Sequence, residues 1–357
     1  MYADRTWLGG GAISSWQSPW LLSKRWDLTY ISLSAILVPV PFLLFQLFSQ
    51  YGVPGGIVDP AAAVDILVAL VVGGPHMCST YTLTFMDRNF TRQYPVYVAL
   101  ALCLPVIVTI LGLVNLTLLL TIFMMWASVH VLHQIAYISD CYRAKGNEFQ
   151  SRLSRAIDYA VIFTSLYPLA MVKLVQNRFI IGGIRIEIPF IVGQEWVIYA
   201  AGGLFFFCLA LYIGKTLIEI QQRRANFPKT LLIVITICLS YIIPSADNLD
   251  VAFQGMNVWH SFQYLGLTWY LNRLRQERGE ITSPVVQKIA GAHRGPAYYF
   301  FNVGLTLAAG VMVIFLNVAL RVPWIQSYYI VILSCLLIHY YFDHFMFTRV
   351  SELVRSP

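Results

Sequence analysis

Read from its N-terminus, the chain alternates long apolar runs with short polar clusters. Ten runs stand out, at about 29–49, 61–84, 95–113, 116–138, 157–175, 195–217, 229–246, 249–271, 297–320 and 324–347. Each is close to the roughly 20 residues that a helix rising 1.5 Å per residue needs to cross a bilayer. A transmembrane barrel would instead need alternating segments of about ten residues. The pattern predicts an all-α, polytopic integral membrane protein with about ten transmembrane helices.

Composition excludes the other classes. Of 357 residues, 58% are hydrophobic and only 11% charged, against roughly 25% charged in soluble domains. Neither a soluble enzyme nor a disordered chain has that balance. Residues 29–347 read as one transmembrane helical domain, because the longest connections (139–156, 176–194 and 272–296) are too short to fold alone. Residues 1–28 are too polar for a signal-peptide core. Trp7, Trp16, Trp20 and Trp26, among Lys24, Arg25 and Gly9–Gly11, suggest a segment lying along the cytoplasmic interface. Residues 348–357 read as a cytoplasmic tail. None of the six cysteines falls in an outer loop and no Cys-x-x-Cys occurs, so neither a disulfide framework nor a thiolate metal site is expected.

The net charge of +7 acquires a meaning once the spans are set. If all ten cross, the side bearing both termini carries 20 of the 24 lysines and arginines, and the other side only Lys173, Arg178, Arg185 and Arg321. The positive-inside rule then places both termini in the cytoplasm, as expected for a bacterial inner-membrane protein. The basic excess reports topology next to the lipid bilayer, not nucleic-acid binding.

Candidate chemistry lies in the histidines. His293 sits in a polar loop, but His76, His130, His133, His260, His339 and His344 all fall inside predicted spans. Ionisable residues there are costly, face the bundle interior and mark functional sites by default. All six lie on even-numbered spans, which run from outside to inside, and about 4 to 11 residues before the cytoplasmic ends. They are expected to share one layer with a spread of roughly 10 Å.

Helical phase sorts them, at about 100° per residue. His130 and His133 (i, i+3) share a face, a workable spacing for one metal ion. His339 and Asp343 (i, i+4) also share a face, whereas His344 is about 140° from His339 and reaches the same ion only through a π-bulge. His260 shares its stripe with Gln263 and Tyr264. Gly73, Gly74 and Pro75 are expected to open or kink the second span and aim His76 inward. Tyr81 and Tyr137, like Gln263 and Tyr264, are candidates for the surrounding shell. Asp87 is expected to pair with Arg88 or Arg92, and Asp140 to make capping or loop contacts. Asp247 and Asp250 read as outer-surface residues, too far from the histidine layer to join it. Imidazole plus carboxylate suits iron better than zinc or copper.

Three short segments add a resemblance. Gly73-Gly74-Pro75-His76, Trp126-Ala127-Ser128-Val129-His130 and Trp259-His260-Ser261 resemble segments of the membrane-bound β-carotene-cleaving dioxygenases of the bacteriorhodopsin-related-protein group. The resemblance covers perhaps forty residues. Met77 stands where the family prefers glycine, Ser79-Thr80-Tyr81 where it has an acidic residue, and Phe262-Gln263-Tyr264 where it has a second histidine. Membership implies a non-haem iron held by histidines from separate helices, using O₂ on a polyene.

Three functional classes stay open. The first is an iron oxygenase or oxidase acting on a carotenoid-like or other lipophilic substrate. The second is a non-catalytic subunit in which histidines clamp haem or another pigment. The third is a proton-coupled transporter with histidine and Asp343 as a relay, for which no polar pathway to the outer face is evident in the sequence.

Overall fold

The computed structural model describes residues 19–56, 58–145, 151–176, 178–246, 248–291 and 293–348. Trp7, Trp16, Asp247 and all of the tail except Thr348 lie outside the described residues. Ten long helices account for most of the remainder: α1 (Lys24–Tyr51), α2 (Pro60–Thr82), α3 (Pro95–Val114), α4 (Leu116–Lys145), α5 (Arg152–Val175), α6 (Glu195–Gln221), α7 (Phe227–Ser245), α8 (Leu249–Glu277), α9 (Gly295–Val318) and α10 (Trp324–Met346). Two short helices, Arg88–Gln93 and Pro284–Ile289, and a two-stranded hairpin pairing Ile180–Ile181 with Ile184–Arg185 lie between them. Each long helix overlaps one predicted apolar run. α4, α6 and α8 continue several residues past the predicted ends, into charged sequence that shortens the loops.

Nine of the ten, all but α8, are long and apolar enough to cross a membrane. Their outward faces carry side chains such as Leu102, Val106, Phe206, Phe207, Val311 and Ile314, all more than half exposed. α8 is built differently. At 29 residues it is about 43 Å long, and one stripe of it is polar throughout: Asp250, Gln254, Asn257, Ser261, Tyr264, Thr268, Asn272 and Arg275, spaced by three or four residues. That stripe lowers its hydropathy. It also explains its position, because a polar stripe is stable in such a bundle only when neighbouring helices satisfy it. α8 packs against α1, α2, α7 and α9.

The stripe meets α2 along its length. Gln254 donates to Asp65 (2.9 Å), Tyr264 meets Thr80 (2.7 Å), Thr268 donates to Ser79 (3.1 Å) and Asn272 to Thr82 (2.8 Å). Beyond α2, Arg275 pairs with Asp87. Asp87 thus finds its partner on α8 rather than in Arg88 or Arg92, while its carboxylate also caps helix Arg88–Gln93 through the Asn89 amide. Trp26 packs on Tyr30 and Tyr270, tying the start of α1 to α8.

α2 is not a regular helix. An α-helical segment (Pro60–Val68) gives way to a π-helical turn (Ala69–Gly73), a further α-turn (Gly74–Ser79) and a 3₁₀ turn (Thr80–Thr82). Pro75 supplies the cause, since it has no N–H to give the preceding turn. The carbonyl of Val71 instead accepts from the Tyr299 hydroxyl at 2.7 Å. Gly74 is required by packing: a Cβ there would stand 2.2 Å from the Thr306 methyl of α9.

Candidate metal centre

Four histidines from four helices meet in the middle of the bundle. His76 (α2), His130 (α4), His260 (α8) and His339 (α10) are each at most 4% exposed. Their ring centroids are 5.2 Å apart for His76 and His260, 4.7 Å for His76 and His339, 4.9 Å for His130 and His260, and 5.0 Å for His130 and His339. Asp343, one turn after His339, joins them fully buried. Two sets of three, His76–His260–His339 and His130–His339–Asp343, each have ligand atoms within 4.8 Å of one another, so each can hold a metal ion. They share His339.

Local structure aims each ring. The π-turn of α2 leaves the Gly73 carbonyl facing Nδ1 of His76, which also lies 2.9 Å from Ser261 Oγ. A carbonyl can only accept, so Nδ1 carries the proton and Nε2 keeps its lone pair. Nδ1 of His339 faces Thr80 Oγ1 at 2.6 Å and Asp343 Oδ1 at 3.5 Å. A proton on that nitrogen satisfies both and again frees Nε2. Nε2 of His130 is 3.2 Å from Nε2 of His260 and 3.8 Å from Asp343 Oδ2. Tyr340 stacks on the His130 ring, 4.0 Å between centroids, and fixes its plane.

The residues fit a metal ion. His76 Nε2, His260 Nδ1, His339 Nε2 and Asp343 Oδ2 are all buried without a hydrogen-bond partner. Each such atom normally costs about 1–3 kcal/mol, a cost that a bound metal ion would offset for those that face it. Two nitrogens bound to one ion at about 2.0–2.1 Å lie roughly 3 Å apart, close to the 3.2 Å between His130 and His260. The other oxygen of Asp343 is already engaged, accepting from the Tyr264 and Thr80 hydroxyls.

The structure does not bring every candidate to this point. His133 is half-buried and turns to Phe163, His344 and Phe347. The ring of Phe347 lies 5.8 Å from that of His130 and 5.2 Å from that of His133, in contact with both. Three residues fall about 60° short of a full turn, so the two rings point in different directions. His344 is exposed, and α10 is α-helical throughout, without the π-bulge that could bring it inward. Tyr81 donates to the Cys335 carbonyl and packs on Phe85. Tyr137 stacks on Phe347, a layer away from the four histidines. Gln263 donates to the Ile31 carbonyl (2.6 Å) and accepts from Gln134 (3.0 Å), and Gln134 also donates to the backbone carbonyl of His260. It fixes α8 rather than touching the cluster. Tyr264 does reach Asp343. Asp140 belongs to an ion network with Arg143, Arg155 and Tyr159.

Three further contributors stand close in sequence to the histidines: Thr80 one turn after His76, Ser261 next to His260, and Tyr340 next to His339. Thr80 is the hub of the cluster, with Tyr264, His339 and Asp343 all around its hydroxyl.

A cavity of about 110 Å³ opens on His76 and His260, with Met77, Phe123, Val131 and Leu333 in its walls and Asp65 and Asp250 among its lining residues. Asp250, read from sequence as remote, thus shares a cavity with the histidines. A larger apolar groove of about 860 Å³, lined by Leu44, Val72, Phe262 and Trp269 among others, runs between α1, α2, α8 and α9 and touches none of the four histidines. No protein-family model matches the chain, and comparison with curated proteins and with solved structures likewise found no match.

Proposed function

We propose that this is a membrane-embedded non-haem iron oxygenase or oxidase acting on a lipophilic substrate, carotenoid-like or another lipid. One observation carries the reading: four imidazoles from four helices converge with Asp343, and three of the rings and the carboxylate each keep a buried atom without a hydrogen-bond partner. His76, His130, His260 and His339 would hold the metal, with Asp343 Oδ2 as a further ligand. Bound iron supplies the capacity to bind and activate O₂. The chain's own contribution is orientation and dryness. Gly73 and Ser261 set the His76 ring, and Thr80 sets His339. Tyr264 and Thr80 hold Asp343 by one oxygen so that the other faces the histidines. Apolar walls exclude water. A cavity of about 110 Å³ is smaller than an engineered cavity of roughly 150 Å³ that takes benzene. It suits O₂ and a short stretch of chain, and a long polyene enters only if the helices part.

The spacing favours non-haem iron over haem. With ring centroids 4.7–5.2 Å apart, the histidines leave no slot for a flat macrocycle between two of them. Metal analysis with an absorption spectrum of purified protein is the test. Iron without a Soret band is expected, and each of His76→Ala, His130→Ala, His260→Ala and His339→Ala should lower the metal content of protein that still folds. Native wild-type protein from iron-replete cells without any transition metal overturns the reading.

The proposal includes ten crossings with both termini cytoplasmic, α8 crossing as the enclosed polar helix. In a background without native cysteines, Ser245→Cys should be labelled from outside and Glu280→Cys should not. Labelling of both from one side would show that α8 does not cross. A second reading, a proton-coupled transporter, is supported by one observation: a ladder of polar side chains links α2 and α8 along their length. Proton flux in proteoliposomes, abolished in Asp343→Asn, would favour it.

A further inference from the structure

Asp65 and Asp250 are half-buried carboxylates with no cation beside them. Neither forms an ion pair among the described residues. One oxygen of Asp65 accepts from Gln254, and one of Asp250 from the Gly182 amide. Both side chains line the cavity that also reaches His76 and His260, and no lysine or arginine lines it. By residue count the carboxylates lie about 15–16 Å along α2 and α8 from those histidines.

Two features turn this from an acidic cluster into a route. At the other end of the cavity, His76 and His260 are at most 3% exposed and each presents a ring nitrogen without a partner. Between the ends, oxygen donors follow one another along α8. Asn257 donates to Gln254 Oε1 (3.1 Å), Ser261 donates to Asn257 Oδ1 (3.0 Å), and Ser261 Oγ is 2.9 Å from His76 Nδ1. The order is carboxylate, amide, hydroxyl, imidazole.

We propose that Asp65 and Asp250 form the cation-selective mouth through which a divalent metal ion reaches the histidines. This rests on the metal-binding reading above and adds to it the path and the side of entry, the one that the charge asymmetry assigns to the outside. Uncompensated carboxylates in a low-dielectric cleft concentrate cations and raise their association rates by about 10- to 1000-fold. They stand too far from the histidines to be ligands to the same ion. They therefore act on the rate of loading and not on the final affinity.

The test is metal loading of full-length, metal-stripped protein in detergent, with Co²⁺ as the probe and its visible absorption as the signal. The double variant Asp65→Asn/Asp250→Asn should load about tenfold more slowly or worse, with the equilibrium affinity and stoichiometry of the wild-type protein. The charge-preserving variant Asp65→Glu/Asp250→Glu should load at close to the wild-type rate. If the double variant does not fold, Asp250→Asn alone should slow loading. The wild-type rate should also fall as salt is raised. Equal rates in wild-type and neutral variants overturn the route alone, as does a loss of affinity at an unchanged loading rate. Failure of the wild-type protein to take up Co²⁺ at all overturns the metal reading and the route with it.

Discussion

Two clusters of buried ionisable groups lie in this bundle, and they are built on opposite principles. Around Asp158, which is fully buried, Arg143 stands at 2.6 Å and Lys229 at 3.1 Å, and Lys215 completes the shell. Asp140 extends the network to Arg155 and Tyr159. Charge is answered by charge from α4, α5, α6 and α7. Around His339 the reverse holds: neutral imidazoles and one carboxylate face each other with four atoms unsatisfied. A bundle able to complete the first cluster has no need of the second for stability. The first is a lock between helices, and the second is the candidate metal centre.

The contrast breaks most visibly at Asp158. Replacing it with alanine removes the carboxylate shared by Lys229, Lys215 and Arg143, and Lys229 is itself fully buried. Breaking one partner out of such a network costs about 3–5 kcal/mol, so Asp158→Ala should sharply lower the yield and the denaturant midpoint in detergent. Metal per folded molecule should stay at the wild-type level, because the two clusters share no side chain. A midpoint within experimental error of wild type would show that the network is not a lock.

The histidine cluster should respond in the opposite sense. Asp343→Ala should lower metal affinity by about 100-fold, the upper range for groups that tune a metal site, while metal-free protein keeps its stability. The neighbouring His344→Ala should be nearly silent, since that ring is exposed and turned toward His133. Competition against a chelator measures both affinities. Equal losses in the two variants would mean that α10 does not hold His339 and Asp343 on one face.

The same contrast shows what was legible in the sequence. Helix positions were, because long apolar runs leave few alternatives, and four of the six histidines expected inward do meet, while His133 and His344 do not. The Asp343 over His344 ranking followed from one angle. Side-chain pairing between helices was not legible. Phase puts His130 and His133 together, and nothing in their own segment announces that His133 will pack on Phe163, His344 and Phe347 instead. Asp87 reads as a partner for its neighbours until α8 delivers Arg275. The polar stripe of α8 was present in the sequence at heptad-like spacing, but only a partner stripe on α2 makes it a ladder. Thr80 was visible too, one turn from His76, yet a threonine there looks like any other threonine in a helix.

Thr80 therefore gives the finest test of the comparison. Its hydroxyl touches Tyr264, His339 and Asp343, and valine has the same shape without it. Thr236, fully buried in α7, offers the matched control, since its hydroxyl only donates back to the Leu232 carbonyl of its own helix. Both substitutions remove one buried hydroxyl and leave packing in place. If the histidine cluster is oriented by its surrounding hydrogen bonds, Thr80→Val should weaken metal binding by about tenfold, the lower range for such groups. Thr236→Val should leave it unchanged, and Thr80→Ser should restore it. The measurement is the chelator competition used for Asp343, and its logic is local. His339 would lose its nearest partner at Nδ1, and Asp343 would lose one of the two hydroxyls that hold it. Equal, small effects of Thr80→Val and Thr236→Val would mean that the rings are held by packing alone, and that Thr80 belongs with the structural hydroxyls.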